Sequence, residues 1–302
     1  MNSNLTLQAS NIVNGMIIFK KEQDIRHYLT EQSSQGRTIG FVPTMGALHD
    51  GHRSLLVKAK EDGGLVVCSV FINPTQFNDK KDFEKYPVAH EADLALLQEA
   101  GCDVAFMPDV SEIYPDGLSD TADYDFGRLD TILEGAHRPG HFRGVAQVMT
   151  RLLDITHPHN LYLGQKDYQQ CMVIKRLVEL TGRKDHLRIV ICPTIREADG
   201  LAMSSRNTRL TDPQRALAAT IYQCLVSIQG KQQTDSFGLV QKECMDLLKE
   251  KGFDPEYVAL ADAEDLTLMD DFVAEKSMVA LIAAKIGDIR LIDNMILNPS
   301  LN

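Results

Sequence analysis

The chain has 302 residues, 44% of them hydrophobic and 24% charged, a globular composition that excludes a disordered chain. At roughly 150 residues per domain, the length predicts two domains. Lys and Arg number 31 against 42 Asp and Glu, a net charge of −11; with no long basic block, this disfavours a general nucleic-acid or anionic-membrane binder but leaves room for a local basic pocket.

Residues 1–15 read as a loose extension. Met16-Ile17-Ile18-Phe19 predicts a strand, and Lys21 to Gln32 a helix. Thr38 to Val42 is a short apolar run, followed by a Gly- and Pro-containing loop, Pro43 to Asp50. Gly51 to Asp62 has Leu55, Leu56 and Ala59 on one helical face. Gly63-Gly64 ends that helix, and Leu65 to Ile72 is a continuous apolar run suited to a buried parallel strand. Strand, loop, helix and strand in this order make a right-handed crossover unit. The alternation continues with helices at Glu91 to Ala100, Gly144 to Ile155 and Asp167 to Leu180. Strands are predicted at Asp103 to Met107, Asn160 to Leu163 and Leu187 to Cys192. The expected fold is α/β, a Rossmann-like doubly wound parallel sheet over residues 1–193. Beyond it, one helix from Asp212-Pro213 to Ile228, a second at Ser236 to Lys251, and strands at Tyr257 to Leu260, Met278 to Ala284 and Ile289 to Ile292 predict a smaller C-terminal α+β domain over 194–302.

The six cysteines include no C-x-x-C pair and sit mostly in apolar runs, as reduced buried thiols of a reducing compartment do. Residues 1–15 lack the basic-then-apolar pattern of a secretory leader, and no apolar stretch reaches about 18 residues. A cytoplasmic protein that spans no membrane is expected.

Four segments carry chemistry-bearing residues just after predicted strands, the edge at which doubly wound sheets bind ligands. Pro43-Thr44-Met45-Gly46-Ala47-Leu48-His49-Asp50-Gly51-His52 offers two histidines three apart at a helix N-terminus, where exposed N–H groups attract phosphate. A turn with surface histidines, or a metal pair lacking a third ligand, are the other readings. In Glu197 to Asn207, Ser204, Ser205 and Arg206 put two hydroxyls and a guanidinium on a short loop suited to phosphate oxygens, or to simple capping. A phosphate-rich nucleotide fits between two such loops. In Gly164-Gln165-Lys166-Asp167-Tyr168-Gln169-Gln170, Lys166 can neutralise phosphate, and Asp167 can cap the following helix. In Phe71 to Phe77, Gln76 can bond a small polar substrate or face solvent from an Asn-Pro turn.

Taken together with Tyr114-Pro115-Asp116-Gly117 and Arg138 to Val145, these segments closely resemble those of the pantothenate synthetase (pantoate–β-alanine ligase) family. The resemblance runs from about Met16 through almost the whole chain. It implies a nucleotidyltransferase-type Rossmann domain, a C-terminal lid domain and a homodimer. It also implies an ATP-dependent condensation of pantoate with β-alanine through pantoyl adenylate, with release of pyrophosphate and AMP. Carried over by motif, Met45, Gly46, Ala47, Leu48, His49, Asp50, Gly51 and His52 form the first ATP loop, with His49 and His52 on phosphates and His52 as proton donor. Gly164, Gln165, Lys166 and Asp167 also contact ATP, with Lys166 on phosphate. Ile195 lines the adenine, and Met203, Ser204, Ser205 and Arg206 form the second phosphate loop. Gln76 and Gln170 hold pantoate, with Gln76 also near β-alanine. Mg2+ accompanies ATP, and Asp93 matches an acidic position near the family's metal. Gln165 stands where many members carry Glu. A cytidylyl- or adenylyltransferase, a metal-dependent hydrolase and a non-catalytic nucleotide binder are the rival readings of the residues alone.

Overall fold

A computed structural model describes residues 11–13, 15–78, 83–118 and 124–298. They divide into two compact units. One holds the described residues up to Gly164 together with Val173–Cys192; the other holds Gln165–Met172 and the described residues from Pro193 onward.

The first unit is built on a seven-stranded sheet. Its strands are β1 (Asn11–Val13), β2 (Met16–Phe19), β3 (Ile39–Thr44), β4 (Leu65–Val70), β5 (Val104–Phe106), β6 (Asn160–Gly164) and β7 (Arg188–Cys192). They lie in the order β1-β2-β5-β4-β3-β6-β7, and all pairings except β1 with β2 are parallel. Every residue of β4 is buried, the reason its sequence is a continuous apolar run. The helix Asp50–Glu61 covers one face with Leu55, Leu56 and Ala59, packing with Val42, Cys68 and Leu97. From β3 the chain steps outward to β4 and β5, then returns to the other side of β3 as β6, with Phe41 opposite Leu161. In doubly wound sheets, ligands bind outside the carboxyl ends of the strands at such a reversal of strand order.

The expected loose extension is corrected in part. Asn11–Val13 is an edge strand antiparallel to β2, and Gly15, at φ +91°, turns the chain between them. Asn-Gly between apolar residues is a strong hairpin signal that the sequence reading passed over. Residues 1–10 and 14 lie outside the described residues.

The second unit carries an antiparallel sheet of β8 (Asp254–Asp262), β9 (Met278–Ile286) and β10 (Ile289–Leu297), ordered β10-β9-β8. The helices Thr220–Lys231 and Phe237–Glu250 bury Ile221, Leu225, Ile228, Val240 and Leu248 against Val258, Leu260, Ala280 and Ile282. The single helix expected from Asp212 is interrupted at Ala219, whose ψ of −8° ends one helix, Asp212–Ala218, before the next begins. The strand expected at Ile289 to Ile292 extends to Leu297, which brings Asp293 and Asn294 into the sheet. All six cysteines are free and buried. No helix among the described residues is long and apolar enough to cross a membrane.

On this sheet Glu256 receives Arg290 Nε at 2.8 Å and Lys285 Nζ at 3.1 Å. Burial pushes its carboxyl up, but the two cations outweigh burial and hold it below its ordinary 4.5. A depressed folded-state pKa contributes stability above the unfolded value, and this is lost as pH falls through the folded value. Glu256→Gln is therefore expected to be less stable than the native chain at pH 7, and the difference should shrink below about pH 4.5. Urea midpoints across pH 3 to 7 measure it.

Candidate active site

The loop after β3 is held in an uncommon conformation. Gly46 and Ala47 both have positive φ, +80° and +49°. A Cβ at Gly46 would come within 3.0 Å of Asp93 Oδ2 and 3.1 Å of Val70, so this position needs glycine for space as well as for conformation. The holding group is Asp93, on the helix His90–Glu99. It is 2% exposed, and its two oxygens accept the N–H groups of Ala47, at 3.0 Å, and Leu48, at 2.7 Å. The acidic residue expected near a metal thus anchors the loop. Among the described residues, no group of three or more His, Cys, Asp and Glu is arranged to hold a metal ion.

Loop and helix join through the two histidines. His49 Nδ1 accepts Gly51 N–H at 3.1 Å, and His52 Nδ1 accepts His49 N–H at 3.3 Å. This is a reciprocal cap of the helix Asp50–Glu61, with imidazoles where a capping box has a hydroxyl and a carboxylate. The ring centroids are 4.1 Å apart. An Nδ1 that accepts a backbone N–H carries no proton, so each neutral ring bears its hydrogen on Nε2 and is a donor there. The capping and phosphate-binding readings are therefore compatible. Asp50 turns instead to Arg53, at 3.9 Å. A cavity of about 200 Å³ lies over the ends of β4 and β5, walled by Met45, Gly46, Ala47, Val70, His90 and Asp93 among others.

Gln76 ends the short turn Pro74–Gln76. Its Nε2 donates to Met45 Sδ at 2.9 Å, and its Oε1 accepts Asn73 Nδ2 at 3.1 Å. Asn73 is buried and organises this turn. Its Oδ1 accepts Thr75 N–H at 3.3 Å and the Tyr114 hydroxyl at 2.7 Å, and its Nδ2 also donates to Gly144 O at 3.1 Å. Burial pushes the Tyr114 phenol up to about 12, against the hydrogen bond with Thr75, so it remains a donor. From the helix His141–Thr156, His141 Nδ1 lies 2.8 Å from Gln76 O, and Arg138 is 3.1 Å from His141 Nε2. The Arg138 to Val145 motif thus supports the turn that carries Gln76.

In the second unit, Ile195 to Met203 forms a small hairpin. Met203 N–H donates to Ile195 O at 3.0 Å, and Glu197 N–H to Leu201 O at 2.9 Å. Gly200 turns it at φ +94°, where a Cβ would fall 2.0 Å from the Tyr222 ring. Ser204 Oγ accepts Arg206 N–H at 3.3 Å and caps the turn Ser205–Arg209, so the capping reading of Ser-Ser-Arg-Asn is realised. Glu197 braces hairpin and turn together, accepting Asn207 Nδ2 at 3.1 Å and Arg215 at 2.6 Å. Lys166 and Asp167 share the turn Gln165–Asp167, with their charges 3.8 Å apart, and Gln170 is half-buried at the start of the helix Tyr168–Leu180.

The pantoate–β-alanine ligase family model matches residues 17–296. The chain belongs to the pantoate–β-alanine ligase family. It is 44% identical over 285 residues to a pantothenate synthetase of Cytophaga hutchinsonii, covering 93% of this chain and 99% of that protein. It is 42% identical over 281 residues to one of Porphyromonas gingivalis, with 93% and 99% covered. The crystal structure of pantothenate synthetase from Thermus thermophilus superposes with a TM-score of 0.86 at 38% identity, over 93% of this chain and 99% of that one. The ligase of Francisella tularensis, complexed with β-γ ATP and β-alanine, superposes with a TM-score of 0.78 at 37% identity, over 93% and 97%.

Several residues that support the candidate segments were given no role in the sequence analysis: Asn73, Tyr114, His141, Gly144, Arg196, Glu197, Asp293 and Asn294. Asn73, preceding Pro74, and Tyr114, His141, Gly144 and Glu197, inside recognised motifs, carried a local signal; Asp293 and Asn294 carried none. A Cβ on Gly144 would lie 2.2 Å from Thr75 O and 2.6 Å from Gln76 Cα, both backbone. Gly144→Ala is therefore expected to displace this turn and destabilise the protein by about 1–3 kcal/mol, the scale of overpacking a tight interior. A lowered urea midpoint at unchanged slope would show it.

Proposed function

We propose that this protein is an AMP-forming pantoate–β-alanine ligase, working in the cytoplasm as a homodimer. The observation that carries this reading is the reciprocal histidine cap at the helix N-terminus after β3, at the reversal of strand order. It presents imidazole donors where the end of a helix favours negative charge. Family membership supports the substrates, and the Francisella tularensis relative is complexed with β-γ ATP and β-alanine.

In step one a pantoate carboxylate oxygen attacks the α-phosphorus of MgATP, and the bond to the β-phosphate oxygen breaks. Charge accumulates on the departing pyrophosphate. Stabilising it calls for donors fixed before the reaction rather than recruited during it. His49 and His52 supply Nε2–H donors in one unit. Lys166, Ser204, Ser205 and Arg206 supply cations and hydroxyls in the other, where residues 194–302 act as the lid domain. Gly164 to Asp167 contacts ATP, and Ile195 and Met203 flank its base. Gln76 and Gln170 hold pantoate: a neutral amide pairs with hydroxyl and carboxylate without burying another charge. In step two the β-alanine amine attacks the acyl carbon of pantoyl adenylate, AMP leaves, and the amine loses a proton. Proximity and exclusion of water favour this attack over hydrolysis.

The decisive measurement is exchange of labelled pyrophosphate into ATP. With MgATP and pantoate alone, exchange is expected; β-alanine should then drain the adenylate and yield AMP. ADP and inorganic phosphate as primary products, with no pantoate-dependent exchange, would overturn the adenylate mechanism. The chain carries no G-x-x-x-x-G-K-[ST] loop of the kind that serves many γ-phosphate transfers.

His52→Ala is expected to cut single-turnover adenylation by roughly 10²–10³, the scale for losing one preorganised donor. It also removes the acceptor of His49 N–H, so the thermal midpoint should be recorded beside the rate. A rate within about threefold of the native one would reject the role.

A further inference from the structure

We propose that Asp293 and Asn294, adjacent on β10, are positioning residues that hold the two nucleotide-contacting turns of the second unit, Gln165–Asp167 and the Ile195–Arg206 hairpin, in one fixed frame. The inference rests on the ATP roles proposed above for those turns.

Asn294 grips the first turn with its whole amide. Nδ2 donates to the carbonyls of Gln165 and Lys166, both at 2.9 Å, and Oδ1 accepts Gln165 Nε2 at 3.2 Å. Asp293 grips the second. Its carboxylate takes Arg196 in a fork, at 2.5 Å from Nη1 and 3.0 Å from Nη2. The same guanidinium donates to Gly200 O at 3.0 Å and Asn294 O at 3.3 Å, and lies 4.3 Å from the centre of the Tyr222 ring. Asn294 N–H closes the unit on Asp293 Oδ1 at 2.8 Å. Both residues are buried. Successive strand residues project to opposite sides, so one strand can serve two turns.

Ordinary strand chemistry does not account for this pair. A sheet residue needs no side-chain amide to form its ladder, and burying a carboxylate and an amide costs free energy unless both are fully bonded. Here the side-chain bonds go to turns that carry proposed phosphate contacts, or within the pair. The side-chain polar atoms of both residues are bonded to protein groups. Their effect is on where Lys166, and the hairpin that leads to Ser204 and Arg206, are held before ATP arrives. Arg196 likewise acts through geometry, since its fork is saturated by protein.

The test compares Asn294→Ala, Asn294→Asp and Asp293→Asn with the native enzyme and with Lys166→Ala, reading the MgATP and pantoate dependence of pyrophosphate exchange. Asn294→Asp keeps size but sets an anion against two carbonyls; Asn294→Ala only removes the donors. If one fails to fold, as judged by near-ultraviolet circular dichroism, the other carries the test. Asn294→Ala is expected to raise the MgATP requirement about tenfold, the scale of losing buried hydrogen bonds, while the pantoate requirement moves less than about twofold. Adding Lys166→Ala to it should cost less than the product of the two single effects, because a lysine already misplaced has less to lose. A fall in kcat with both requirements unchanged, or an equal rise in both, would overturn the proposal and leave the pair merely structural. If Lys166→Ala itself leaves the MgATP requirement untouched, the nucleotide assignment of the turn fails and this inference falls with it. If Lys166→Ala raises it and the Asn294 variants do not, only the inference fails.

Discussion

A buried carboxylate with two backbone donors is the contact on which the histidine loop depends. Parallel strands end with their N–H and C=O groups unfinished, and the chain leaving β3 must reverse sharply to start a helix. Asp93 takes the N–H groups of Ala47 and Leu48 and makes two consecutive left-handed residues tolerable. Without it those part-buried donors would lose their protein partners. The geometry of His49 and His52 follows from this, because the helix they cap starts where the loop delivers it.

The same arrangement recurs elsewhere: a residue with a proposed part in the chemistry is held by one without. Gln76 sits on a turn fixed by Asn73, Tyr114 and His141, and pressed by a glycine that admits no side chain. The hairpin before Ser204 is braced by Glu197 and Arg215, and turned at Gly200 beneath Tyr222. Fixed supports of this kind matter for transferring a charged group, because donors already in place lose nothing in reorganising when charge develops.

How much of this was legible in sequence depended on distance along the chain. The strand–loop–helix–strand unit was readable because hydrophobic period and glycine punctuation are local. The Met45 to His52 and Met203 to Arg206 segments stood out because several candidate side chains lie within a few residues. The break at Ala219 was not readable, since alanine is the best helix former and nothing in its neighbourhood signals a stop. Asp293 and Asn294 were invisible for a different reason: they are two polar residues in an apolar strand, with partners about a hundred positions away. Segment 165–172 groups with the residues from 193 onward because its turn is bonded to β10, a tie that no linear reading supplies.

That separation bears on when the protein becomes competent during its own synthesis. Asn294 reaches back 129 and 128 residues to its carbonyl partners, and Asp293 reaches back 97 to Arg196. Pairings so remote in sequence form late, since the loop they close is long and its entropy must be met first. The first crossover, by contrast, closes within about thirty residues and can assemble as soon as it leaves the ribosome. A nascent chain therefore acquires its histidine loop early, but its lysine turn is set only when β10 has been made. Until β10 has docked, the carbonyls of Gln165 and Lys166 lack the two bonds that Asn294 supplies.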